Sequence, residues 1–287
     1  MIDYILVLIA LIYLIFASVS DIKTREVPDW LSYSLIITGL GLRAFYSIES
    51  KEIMYFLYGL IGGGIFLGIG LLMYYCKQWG GGDVKLMSAL GVIFGSAPKI
   101  SFLNPNLDLP FLAVLFINIL FVGALYGLIW SFILFLNNRK IVWDKFKKLF
   151  GMKEFRTRRI LFYAFSFILI IMSFFFENSF RIMFLILAFL MFILYYVLIF
   201  VKAVDDCCMI KEISTSRLTE GDWILKNVYY GGKMLYNPER LGLTEKYLEK
   251  LKKYKIKVLV KEGIPFVLSF LMGLIISLIL GNFIFVI

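Results

Sequence analysis

Long apolar runs, following one another along almost the whole chain, are what most constrain its fold. A hydrocarbon layer about 30 Å thick takes roughly 20 consecutive apolar residues in a helix to cross. The backbone of each crossing segment has to satisfy its own hydrogen bonds, since lipid offers none. Such runs are read at residues 4–19, 30–46, 53–76, 83–94, 111–136, 160–176, 182–201 and 265–287. The fourth is the shortest and is diluted by Gly91 and Gly95. Of 287 residues, 61% are hydrophobic and 17% charged, whereas soluble domains average about half and a quarter. The runs are too many for a cleavable signal peptide. The expectation is an α-helical polytopic membrane protein of about eight transmembrane helices.

The net charge of +10 sits in particular loops. Lys23 and Arg25 follow the first run, Lys77 and Lys85 flank the end of the third, and a basic stretch from Arg139 to Arg159 follows the fifth. The segment after the seventh is also rich in Lys and Arg, while the alternate loops hold only Lys51, Lys99 and Arg181. Cytoplasmic loops carry the excess of Lys and Arg, which places the odd-numbered loops inside and both termini outside. No recognition motif accompanies the charge, so nucleic acid is not an expected partner. Membrane lipids are. Residues 139–159 interleave cations with Val142, Trp143, Phe146, Leu149 and Phe150, the pattern of a helix lying on anionic headgroups. Gly62, Gly63 and Gly64 in the third run suit close helix packing.

Residues 202–263 read as a small cytosolic α+β domain inserted before the last helix. Strands are predicted at 223–229 and 256–260, a turn at Gly231-Gly232, and a helix capped by Thr244 with Tyr247, Leu248, Leu251 and Tyr254 on one face. The division is then 1–201 for the membrane helical domain, 202–263 for the cytosolic domain and 264–287 for a final helix with Pro265 in its first turn.

The chain has no histidine. That excludes a Ser-His-Asp triad, a Cys-His pair and a His-based zinc site. Cys76, Cys207 and Cys208 lack C-x-x-C spacing, so no metal or cofactor is expected. Two carboxylates stand out. Asp83 follows Gly80-Gly81-Gly82 at the start of the fourth run, and Asp21 lies just past the end of the first. A carboxylate at the edge of the hydrocarbon is costly and is commonly functional. Two such groups side by side share a proton and can hydrolyse a peptide without metal or histidine. Each also has an ordinary reading: Asp83 as a helix cap, Asp21 as a solvated loop residue, and Asp29 as a complement to a helix N-terminus.

The segment Asp21-Ile22-Lys23-Thr24-Arg25-Glu26-Val27-Pro28-Asp29 is one half of a paired motif. Its partner is Gly80-Gly81-Gly82-Asp83-Val84-Lys85-Leu86-Met87-Ser88-Ala89-Leu90-Gly91. Together they closely resemble the type IV prepilin peptidases, the G-x-G-D membrane aspartic proteases. Glu220-Gly221-Asp222-Trp223, Leu241-Gly242-Leu243-Thr244 and Lys261-Glu262-Gly263-Ile264-Pro265-Phe266 look like the C-terminal region of archaeal members. Presenilin-type proteases place a Tyr where this chain has Ser20.

The resemblance implies a membrane aspartic endopeptidase that cleaves short basic leader peptides from type IV prepilins or archaeal preflagellins at the cytoplasmic face. Asp21 and Asp83 are then the catalytic pair and Gly80 and Gly82 shape the active-site loop. Methylation of the new N-terminus is not carried over, because the cysteine cluster of the bacterial branch is absent. Lys23, Arg25 and Lys85 are assigned to lipid phosphates in preference to substrate. Glu26, Asp205 and Asp206 are candidates for binding the basic leader. The alternative is a carrier using Asp21 and Asp83 as a proton or cation site, which favours carboxylates deep in spans and inverted repeats.

Overall fold

The computed structural model describes residues 2–100, 109–238 and 242–282. Its helices are α1 (Ile2–Thr24), α2 (Asp29–Ser50), α3 (Ile53–Tyr75), α4 (Gly81–Ile93), α5 (Phe111–Asn137), α6 (Arg139–Gly151), α7 (Lys153–Ser173), α8 (Asn178–Cys208), α9 (Glu245–Lys252) and α10 (Val267–Ile279). The strands are β1 (Ile210–Ser214), β2 (Trp223–Ile224), β3 (Val228–Tyr230), β4 (Lys233–Tyr236) and β5 (Lys257–Lys261). Among the described residues, five helices, α1, α2, α3, α5 and α8, are long and apolar enough to cross a membrane. The chain is thus a mostly helical, multi-pass membrane protein with a small strand-containing C-terminal region. The apolar runs expected at 83–94 and 160–176 are helical as well. Yet α4 has 13 residues, about 20 Å of rise, and α7 opens on Lys153, Arg156, Arg158 and Arg159. The last part of the run at 265–287, residues 283–287, lies outside the described residues.

Two compact units divide the chain: residues 1–127 with 212–287, and residues 128–211. In the first, α4 packs against α2 and α3. It buries Leu86, Met87, Ala89, Leu90 and Ile93 in one core with Leu31, Leu35 and Phe66. Its approach to α3 is set by backbone. A Cβ on Gly91 would stand 2.3 Å from the Gly62 carbonyl oxygen, and one on Gly62 would stand 2.3 Å from that of Gly91. Only glycine at both positions allows that separation.

The far end of α4 is held by a polar group that the apolar pattern hides. Arg43, mid-helix in α2 and 1% exposed, donates to the Ile93 carbonyl at 2.7 Å, to Tyr55 O at 2.9 Å and to Ser96 Oγ at 3.2 Å. A cation at a helix C-terminus satisfies carbonyls that have no intrahelical donor. The Tyr55 hydroxyl in turn donates to Asp3 Oδ1 at 2.6 Å, and the Lys99 amide to Asp3 Oδ2 at 3.1 Å. Along α1, Leu6, Ala10, Leu14 and Ala17 recur at helical spacing and are buried. They share the core with Phe270, Leu274 and Leu278 of α10, which packs on α1.

In the strand-containing part, β1, β5 and β2 form one sheet in that order, and β3 and β4 a separate hairpin. Gly231 and Gly232 make its turn with φ of 57° and 79°. The strand expected at 223–229 is therefore two. Trp223 pairs with Lys261 in β5, the chain bends at Lys226, and Val228 pairs with Tyr236 in β4. The helix after Thr244 is α9, and its Leu251 is fully buried with Ile224, Val258 and Val260.

The second unit is packed through aromatic and small residues. Val142 and Leu149 of α6 are buried with Tyr195, Ile199, Ala203 and Val204 of α8. Ser166 Oγ of α7 donates to Ala188 O of α8 at 2.8 Å. The rest of these helices turns outward: Phe167 is 61% exposed and Phe189 63%. Apolar exposure on this scale suits lipid, not water.

Candidate active site

The first motif is a helix end and the turn that stops it. α1 continues one turn past its apolar run, so Asp21 lies within the helix, 7% exposed. The helix ends where Arg25 takes a left-handed conformation, φ 62°. Ser20 Oγ and Thr24 Oγ1 both donate to the Glu26 carbonyl, at 3.0 and 3.3 Å, and fold the loop back over the helix end. Pro28 then leads into α2.

The second motif is a helix start. Gly80 is extended, α4 begins at Gly81, and Asp83 is its third residue. Asp83 Oδ2 accepts the Gly80 amide at 3.0 Å, which satisfies one of the orphan donors of the first turn. The ordinary role of a capping carboxylate is thus present. The two motifs also meet: a Cβ on Gly82 would stand 3.2 Å from Val27 Cβ, and Asp21 lies close enough that its charge acts on Asp83. Gly80 is less constrained, since a Cβ there would find only Asp83 Oδ2, at 3.6 Å. Lys85 Nζ does not point away to headgroups. It pairs with Asp29 Oδ1 at 2.6 Å and lies 5.4 Å from the centre of the Tyr33 ring, tying the first turn of α4 to that of α2.

A third element comes from the other end of the sequence. The Val267 amide, at the start of α10, donates to Asp21 Oδ2 at 2.9 Å. Arg25 Nη1 donates to the Gly263 carbonyl at 3.3 Å. Trp79, 4% exposed and just ahead of the glycines, sits 5.8 Å from the ring of Phe266 and 5.5 Å from that of Phe270. Reading the sequence missed Trp79 and Val267. A backbone donor leaves no mark in residue type, and the available hint was the position of Pro265 and Phe266 directly before a helix.

Of the candidate leader-binding acids, Glu26 is exposed at the α1–α2 turn, and its charge, with that of Glu262, acts on Asp222. Burial pushes the Asp222 carboxyl above the usual carboxylate range, and these two acids add to the rise; the Thr219 amide, 2.8 Å from Oδ2, opposes it. Asp205 and Asp206 belong to the second unit and hold ion pairs there. Asp206 meets Lys202 at 2.7 Å and Lys145 at 3.0 Å, and Asp205 meets Lys202 at 3.7 Å.

Fold and site together define a class: a polytopic helical membrane protein that brings two carboxylates from separate helix ends into one place. Residues 8–138, which include both aspartates, match the profile of the type IV leader peptidase family. The chain is 28% identical over 168 residues to prepilin peptidase EppA of Methanothermobacter thermautotrophicus, covering 56% of this chain and 43% of that protein. It is 31% identical over 86 residues to a preflagellin peptidase of Methanocaldococcus jannaschii (30% and 36%), and 27% identical over 132 residues to one of Methanococcus voltae (45% and 56%). The chain thus spans about half the length of these relatives, or less. The resemblance carried by the paired motifs therefore holds over α1–α5. No solved structure matches.

Proposed function

We propose that this chain is a membrane aspartic endopeptidase that removes short basic leader peptides from type IV prepilins or archaeal preflagellins, with Asp21 and Asp83 as its catalytic pair. The observation that carries this reading is the meeting of the two motifs at Gly82 and Val27 within the segment that matches the leader peptidases. One carboxylate is ionised and takes a proton from water as its oxygen attacks the scissile carbonyl. The other is protonated and gives its proton to the carbonyl oxygen. The resulting diol collapses as the first carboxylate passes its new proton to the amide nitrogen, the C–N bond breaks, and the second carboxylate takes a proton from a diol hydroxyl, which leaves the pair with one proton again. Two carboxylates at close range titrate as a pair, which supplies both forms at one pH. The carrier alternative is not favoured, because both carboxylates stand at helix ends near polar loops.

The same reading extends to topology and substrate. Eight helices cross the membrane, counting α4, α7 and α10, with the site and residues 202–263 on the cytoplasmic side, in keeping with the placement of Lys and Arg. The hydrophobic helix of the substrate lies among the spans with its leader at the cytoplasmic face, where Glu26 binds its basic residues.

Co-expression with candidate prepilins and preflagellins, followed by gel shift and N-terminal sequencing, tests the activity. Asp21→Asn and Asp83→Asn should each abolish cleavage while the protein stays inserted. Turnover by either variant above a few per cent of wild type would rule out the pair.

A further inference from the structure

We infer that the start of α10 is a working part of the active site, and that the Val267 amide fixes Asp21 as the member of the pair that takes the proton from water. The inference rests on the peptidase reading above and adds to it the division of labour between the two carboxylates.

Asp21 is nearly buried, and its Oδ2 is taken by the Val267 N–H at 2.9 Å. Val267 is the first residue of α10, so that amide has no carbonyl to meet within its own helix and is available to an outside acceptor. A backbone donor at the positive end of a helix favours the ionised form of the carboxylate it meets. Burial works against the charge on Asp21; the Val267 amide and then the Arg25 charge oppose that, and the Arg25 guanidinium is held at the Gly263 carbonyl, four residues before Val267. Among the described residues, the hydrogen bond to the Asp83 carboxylate comes from the Gly80 amide of its own helix start, and it faces the charge of Asp21. The asymmetry is therefore built from α10. Asp21, with Oδ2 tied, presents Oδ1 to the attacking water and takes its proton. Asp83 carries the proton that passes to the carbonyl oxygen.

The arrangement is held independently of the carboxylates. Phe266 and Phe270 pack on Trp79, which leads into the Asp83 loop. A Cβ on Gly123 of α5 would stand 2.5 Å from the Phe266 ring. The start of α10 is thus gripped from the side of each motif: by Arg25 after Asp21, and by Trp79 before Asp83.

Replacing the Val267 amide by an ester, through incorporation of the α-hydroxy acid analogue of valine into the full-length protein in liposomes, deletes the donor and keeps the side chain. Cleavage of a preflagellin-type substrate with a lysine-containing leader is then followed against pH. If Asp21 is the base, the acidic limb of kcat/KM moves to higher pH by about one unit, with a fall of roughly tenfold on that limb. KM changes little, because no substrate contact is removed. Val267→Ala keeps the amide, so it should leave the limb where it is whatever it does to folding. Movement of the basic limb in the ester protein would make Asp21 the proton donor and overturn the assignment. An unmoved profile would overturn the role of α10 altogether. Absence of cleavage by the unmodified protein would instead overturn the peptidase reading, and the inference with it.

Discussion

α4 and α8 are both apolar helices, yet they keep opposite company. α8 runs 31 residues and passes every test of length and apolarity for a membrane span, but it buries only Ala188, Tyr195, Ile199, Ala203 and Val204. α4 runs 13 residues, fails the length test, and buries every residue from Leu86 to Ile93. One helix is apolar because lipid surrounds it. The other is enclosed by protein, with a glycine contact on one side, an arginine at its end and a carboxylate at its start. Apolar length therefore measures exposure to lipid, and the helix that carries Asp83 is the one it detects least well.

This contrast can be broken by substitution. Arg43→Met should give the largest loss of stability, about 3–5 kcal/mol, because it removes the donors that satisfy the end of α4 and leaves Asp3 and Tyr55 without their cation. Thermal unfolding in detergent, read alongside cleavage, should show both falling. An unfolding temperature within a degree or two of wild type would mean that α4 is not held at that end.

Gly91→Ala should follow at about 1–3 kcal/mol, since its new methyl has to displace the backbone of α3. It should also lower cleavage, because α4 carries Asp83. By contrast, Leu190→Ala on the lipid side of α8, 53% exposed, should change stability by less than about 0.5 kcal/mol. Equal effects at Gly91 and Leu190 would erase the distinction between the two helices.

Asp29→Asn is expected to be milder than Arg43→Met. The pair with Lys85 has side chains 61% and 33% exposed, and such surface pairs contribute about 0–1 kcal/mol. The loss should grow smaller at high salt, which unfolding at two ionic strengths can read.

The smallest effect concerns Asp222. Its folded-state carboxyl titrates above its unfolded value, so the stability it contributes is present below the unfolded value and is lost as pH rises through the folded one. Asp222→Asn should flatten that decline and raise protection of residues 212–238 in hydrogen exchange near neutral pH. A steeper decline in the variant would contradict the burial of that carboxyl.

Much of this protein can be read from its residues in order. The apolar runs mark the helices because lipid leaves a backbone no other way to satisfy its hydrogen bonds. Tyr247, Leu248 and Leu251 mark α9, although Thr244 precedes it without a side-chain cap bond and the helix stops at Lys252, short of Tyr254; the two motifs single out Asp21 and Asp83 as soon as histidine is seen to be absent. These features are local, and local features leave a trace in sequence. The bend at Lys226 that splits one expected strand into two sheets leaves a weaker one, since each half fits a strand and only the partners differ.

What only the tertiary structure decided are the long-range pairings. Arg43 looks misplaced within an apolar run until the last carbonyl of α4 arrives beside it. Lys85 and Asp29 look like independent surface charges until two helix starts come together. The Val267 amide belongs to every residue type but proline, so no composition or spacing could announce that it meets Asp21 across more than two hundred residues of chain. The sequence supplies the carboxylates. Their unequal surroundings come from packing, because hydrogen-bond partners and charge act through distance in space and not along the chain.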